Sequence, residues 1–190
     1  MKITTAKIAE LNPYDDWFNN FKSHYPNFNG NVEKFLSLDN ITYSDKVWIC
    51  IRLMSLNQQF YWSRAIAWSV FEISNDFDVR KLLEFLNTIK DISALTKHQI
   101  EKLRNLRNAA SNVASNVAAN ASNAASFAAS VAYAATAISS AASYAAYYAT
   151  NAATSAAYSA AYHAVSAAYN KEEQEEFNLI ILKEIMEMNI

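Results

Sequence analysis

The chain has 190 residues, 18 acidic and 16 basic, for a net charge of −2. That length suits a single domain, and so weak a charge argues against a general nucleic-acid binder. Cys50 is the only cysteine, which excludes an internal disulfide. No basic stretch precedes a short apolar run at the N-terminus, so a signal peptide is not expected and a cytoplasmic setting is.

In chain order, Asn12 and Pro13 read as a cap and first helical residue, followed by Trp17, Phe18 and Phe21 on one apolar face. His24 to Gly30 reads as a turn region and Asn31–Leu38 as a short amphipathic helix. Ser44 is the expected cap of the next helix, in which Val47, Trp48, Ile51 and Leu53 keep helical spacing. Asn57 is expected to open another, with Phe60, Tyr61, Ala65, Trp68 and Phe71 to Ile73 inward and Arg64 and Glu72 in water. Asp76 or Asp78 then caps a helix striped by Val79, Leu82, Leu83, Leu86 and Ile89. Thr96 caps the next, where Ile100, Leu103 and Leu106 are apolar and Lys97, Lys102, Arg104 and Arg107 exposed. No strand is expected.

From Asn108 to Asn170 there is no Asp, Glu, Lys, Arg, Gly or Pro, and nearly half the residues are Ala. Ala is the strongest helix former. A single helix of roughly 60 residues would reach about 95 Å, whereas a compact chain of this size is only about 40 Å across. The tract is therefore expected to fold back, with breaks at Asn120–Asn123, Ser139–Ser140 or Thr150–Thr154, where Ser, Asn and Thr compete for backbone hydrogen bonds. Its bulky residues recur eleven apart, as in Phe127/Ile138, Tyr133/Tyr144, Tyr147/Tyr158 and Tyr158/Tyr169, which places each pair on one helix face. Ser and Asn recur too often for a membrane span, and Thr136, Thr150 and Thr154 form no regular ladder of the kind ice binding needs. The chain ends in an acidic segment, residues 171–190 with six carboxylates against two lysines, whose expected apolar face is Phe177, Ile180, Ile181, Ile185 and Met188.

The expected fold is all-α: a compact multi-helix bundle with an Ala/Ser/Asn/Tyr-rich helical hairpin or array in the C-terminal half. Residues 1–190 read as one domain in three parts: 1–107 Trp- and Leu-rich, 108–170 Ala-rich, and 171–190 a closing amphipathic helix.

Catalytic and metal-binding patterns are not evident. His24, His98 and His163 are scattered, and Cys/His clusters that would hold zinc are missing. One glycine cannot build a phosphate-cradling loop. The carboxylate pairs Asp15–Asp16, Glu172–Glu173 and Glu175–Glu176 point in different directions on a helix and read as solvated faces. Cys50, between Ile49 and Ile51, reads as a buried inert thiol. The reading is no enzyme, no cofactor and no metal. The binding candidates are Tyr144, Tyr148, Tyr158, Tyr162 and His163 in the tract, with Arg104 and Arg107 before it.

Several segments carry a resemblance: Val47-Trp48-Ile49 with Arg52-Leu53-Met54, Arg64-Ala65, Asp76-Phe77-Asp78-Val79-Arg80-Lys81, the tract Ala109 to Tyr169, and Phe177-Asn178 with Ile181, Leu182 and Ile185. In these the chain resembles the alanine-rich helical immunity proteins of bacterial polymorphic-toxin systems and their phage relatives. Those relatives place Arg and Asp within the tract and end on a Trp-Gln pair, where this chain has Ser and Asn and Phe177-Asn178. The resemblance implies an all-α fold and a non-enzymatic binding role in a bacterial cell, and assigns no individual residue a role.

Three functions fit this pattern of residues. The leading one is neutralisation of a protein partner, a toxin or a defence component, by occlusion through a helical face bearing Tyr and Asn. The second is sequestration of a small ligand or nucleotide signal, with Tyr stacking on bases and Arg52, Arg64, Arg80, Arg104 and Arg107 meeting phosphates. The third is a structural, homo-oligomerising protein whose Ala faces pair between chains.

Overall fold

The computed structural model describes residues 1–69, 71, 76–114, 165, 168 and 170–188. Among these the chain forms eight α-helices and one two-stranded sheet, in agreement with the all-α expectation. In chain order they are β1 (Lys2–Thr4), α1 (Thr5–Glu10), α2 (Asp15–His24), β2 (Asn29–Asn31), α3 (Val32–Leu36), α4 (Tyr43–Leu53), α5 (Leu56–Ser69), α6 (Phe77–Asn87), a 3-10 turn (Ile92–Ala94), α7 (Lys97–Ala114) and α8 (Lys171–Glu187). The nominated breaks in the tract, its eleven-residue pairs, Glu72 and Ile73 lie outside the described residues.

The sheet is the first departure from the sequence reading. β1 and β2 pair antiparallel with Ile3 opposite Gly30. Three-residue strands are too short to display the alternation that identifies a strand. Gly30 leaves room for a neighbouring ring: a Cβ there would lie 2.8 Å from Cζ of Phe28, so the ring would have to shift.

Helix starts differ from expectation where a better cap lies nearby. Asn12 does not cap α2; it takes a left-handed conformation at φ 55° after α1, which Asn tolerates better than most residues. Helix α2 opens two residues beyond Pro13, with Asp15 and Asp16 in its first turn, where carboxylates favour the positive helix end. Thr42, not Ser44, caps α4 through a bond from Asp45 N to its Oγ1. Ser55, not Asn57, opens α5 in a reciprocal capping box: Gln58 N donates to Ser55 Oγ at 3.1 Å, and Ser55 N to Gln58 Oε1 at 2.9 Å. Asn57 instead crosses to the 3-10 turn, accepting from Ile92 N at 3.0 Å. Asp76 and Thr96 cap α6 and α7 as expected.

The described apolar residues form one core running from Ile3 to Met186. Val79, Leu82, Leu83 and Leu86 are buried along α6, and Ile89 just beyond its end; α6 packs on α7. Helix α7 runs into the Ala-rich tract as expected, to Ala114. Helix α8 crosses α5, α4 and α3, so the chain's end closes the core built by its first 69 residues.

Two face assignments are corrected. On α5 the expected inward Phe60 is buried, and Tyr61, Ala65 and Trp68 are half-buried against the core, but the deepest side chains are Trp62 and Ile66, which the spacing does not place inward. Arg64 does not face water. Its Nη1 donates to the Leu86 and Ile89 carbonyls at 3.1 and 3.3 Å, tying α5 to the segment where α6 ends. On α8 the buried face is Asn178, Leu182, Ile185 and Met186; Phe177, Ile180 and Met188 are exposed. The cause is a polar residue in the seam. Asn178 is buried because three groups bond to it, Gln174 and Tyr43 through its carboxamide and Trp62 through its carbonyl.

Candidate functional site

The rotation of α8 leaves a groove between α3, the first turns of α4, and α8. Its volume is about 490 Å³. Leu36, Tyr43, Leu179 and Ile180 supply apolar lining, and Glu33, Glu172, Glu175 and Glu176 supply carboxylates against the ammoniums of Lys46 and Lys183. One of those lysines is already engaged: Lys183 Nζ meets Glu33 Oε1 at 2.7 Å. That bond holds the Lys183 ammonium above its ordinary pKa. Counting charges, four carboxylates face two ammoniums, so the groove is acidic around an apolar lining. Ile180 is 50 % exposed, and Phe177, one turn earlier on α8, is 39 % exposed.

The depth of the groove depends on the polar seam beneath it. Tyr43, on the wall, accepts from Asn178 Nδ2 at 2.7 Å. Gln174 donates to both Asn178 Oδ1 at 2.8 Å and Ser69 Oγ at 3.0 Å, joining α8 to α5. Gln58 Nε2 reaches the carbonyls of Ile185 and Met188 at 3.0 and 3.1 Å, capping the end of α8 from α5.

The opposite flank of the α4 N-terminus carries a smaller recess of about 140 Å³, lined by Pro13, Tyr14, Trp17, Ser44, Asp45 and Trp48. Tyr14 is 85 % exposed. Trp17 is anchored from behind by stacking on Phe21, ring centroids 5.5 Å apart. Arg52 lies on the Trp48 ring at 4.4 Å from its centroid.

Of the binding candidates read from sequence, Arg104 and Arg107 line neither site. Tyr144, Tyr148, Tyr158, Tyr162 and His163 lie outside the described residues. Arg104 is exposed on α7 and Arg107 donates to the neighbouring Asn108 Oδ1 at 3.0 Å. Arg64 and Arg80 lie over the rings of Tyr61 and Phe71, at 4.4 and 4.8 Å. Arg52, Arg64, Arg80 and Arg107 thus each engage a different neighbouring residue, and Arg104 is exposed.

Sequence reasoning passed over Glu33, Leu36, Tyr43, Lys46 and Leu179. One signal was available: two glutamate pairs, 172/173 and 175/176, directly precede Phe177 and Ile180 on α8. Glu172, Glu173 and Glu176 are exposed and Glu175 half-buried. Among the described residues, no group of three or more His, Cys, Asp or Glu is placed to hold a metal ion. Cys50 is fully buried, and burial pushes its thiol far above the usual range. Among the described residues, no helix is long and apolar enough to cross a membrane. No protein-family model matches the chain, and neither a curated protein nor a solved structure matches it.

Proposed function

We propose that the protein is a non-enzymatic helical binding protein that neutralises a protein partner by occlusion, the partner laying a basic, partly apolar segment into the α3–α4–α8 groove. The observation that carries this is the exposed Ile180 within an excess of carboxylates. An apolar contact on a charged rim is the anatomy of a protein-binding surface, the apolar part supplying affinity and the rim orientation and on-rate. The same rim repels phosphate, so a nucleotide is disfavoured in this groove. The resemblance to immunity proteins points the same way, toward a toxin or defence component in a bacterial cytoplasm.

Co-purification of the tagged protein from its native cell, followed by mass spectrometry, tests the reading. A stoichiometric protein partner is expected. Ile180→Asp should weaken its binding at least about tenfold, the loss of roughly 1.4 kcal/mol or more, with the fold intact. Glu175→Lys with Glu176→Lys should slow association and reduce its salt dependence. A partner held equally by all these variants places its site elsewhere, and the absence of any protein partner ends the neutraliser reading.

A further inference from the structure

The recess on the other flank of α4 has a composition that the groove does not. Three aromatic side chains, Tyr14, Trp17 and Trp48, surround a small volume that also meets the Asp45 carboxylate. Aromatic faces carry negative quadrupole density and attract cations, Trp most strongly. The Trp48 ring already shows this behaviour by holding the Arg52 guanidinium.

Asp45 is oriented, since its Oδ2 accepts from Thr42 Oγ1 at 2.6 Å. The neighbouring first turn of α2 adds two exposed carboxylates, Asp15 and Asp16. Arg52 is the facing cation, and it lies on Trp48 rather than among the lining side chains.

Size decides what the recess takes. At about 140 Å³ it falls below the range of roughly 300–1,000 Å³ for cavities that enclose whole small molecules. It suits the tip of a longer group. A guanidinium is planar and stacks on a single face, whereas an ammonium is a compact point charge that several rings can surround.

We propose that the Tyr14–Trp17–Trp48–Asp45 recess is a site for the ammonium of a lysine side chain on the protein partner. The proposal rests on the binding-protein reading for its source of lysine. Groove and recess flank the same first turns of α4: Tyr43 and Lys46 line one, Ser44, Asp45 and Trp48 the other. A partner segment crossing this helix end would place a residue in each.

The test uses the whole protein and needs no partner. Capped lysine amide is titrated while the indole N–H signals of Trp17 and Trp48 are followed by NMR, with capped norleucine amide as the uncharged control. Saturable shifts of both signals with lysine amide are expected, and binding of norleucine amide about three times weaker or worse, the scale of an exposed cation–π contact. Asp45→Asn and Tyr14→Ala should each weaken lysine amide; Tyr14 is so exposed that its loss leaves the core untouched. Equal binding of norleucine amide, no saturable shift, or full binding by both variants overturns the site. Failure to find a protein partner while lysine amide still binds would overturn the neutraliser reading and leave the site standing.

Discussion

Asn178 donates from Nδ2 to the Tyr43 hydroxyl at 2.7 Å, across 135 residues of sequence. The two residues belong to the last helix and to the first residue of α4, and Tyr43 also lines the groove. The bond therefore fixes the distance between two of the groove's walls. Asn178 is completely buried, so its carboxamide has no water to fall back on.

Removing the acceptor tests this directly. Tyr43→Phe leaves a buried donor unpaired and should cost about 1–3 kcal/mol in urea unfolding. Asn178→Leu removes the donor and also releases Gln174, which donates to Asn178 Oδ1. The double variant should be less destabilised than the sum of the two single ones, because both act on one contact. Strict additivity would show that the bond carries no coupling.

Arg64 makes a second long-range closure. Its guanidinium donates to two carbonyls at the end of α6 and lies 4.4 Å from the Tyr61 ring. Burial lowers its pKa from the usual value, yet an arginine keeps its charge throughout the accessible range. Arg64→Met should destabilise by about 1.5–3 kcal/mol, the scale of hydrogen bonds to a charged group. Arg64→Lys should restore little of this, since one ammonium cannot reproduce the planar fork and the ring stacking. Thermal melts of the three proteins compare these outcomes.

The contact between α5 and the 3-10 turn is pH-dependent. Asp91 accepts from Ser93 Oγ at 2.7 Å, from Ser93 N at 2.9 Å and from Asn57 Nδ2 at 3.3 Å. The Ser93 side chain, then its backbone N–H and Asn57, hold the Asp91 carboxyl below its ordinary value of 3.8. A depressed folded pKa stabilises the fold above the unfolded value and loses that contribution as pH falls through the folded one. The stability difference between the native chain and Asp91→Ala should be constant at neutral pH and shrink below pH 3.8. Urea midpoints measured from pH 7 downward check it.

Cys50 offers a report on opening of the core. Its thiol is buried among Ile49, Ile51 and the rest of the core, and burial favours the protonated, unreactive form. A thiol reagent at pH 8 should react only at the rate at which the protein opens. Addition of urea to the unfolding midpoint should bring labelling to the speed of a free cysteine. Prompt labelling of the native chain would contradict the burial.

The amino-acid sequence by itself determined the helical class, because strong helix formers and 3.6-residue apolar spacing act within one segment. The α6 stripe from Val79 to Leu86, its Asp76 cap and the Thr96 start of α7 were all legible for that reason. Three-residue strands carried no such local signal, and the caps at Thr42 and Ser55 won over Ser44 and Asn57 by margins that composition does not display. Only the tertiary structure decided which way α8 is turned. A pattern of apolar residues favoured Phe177 and Ile180 inward, but Asn178 has three partners waiting on α4, α5 and α8 itself, and the cost of leaving those polar groups unpaired outweighs two partly exposed apolar side chains. That one rotation exposes Ile180 among the glutamates and creates the groove, which no reading of α8 alone contains.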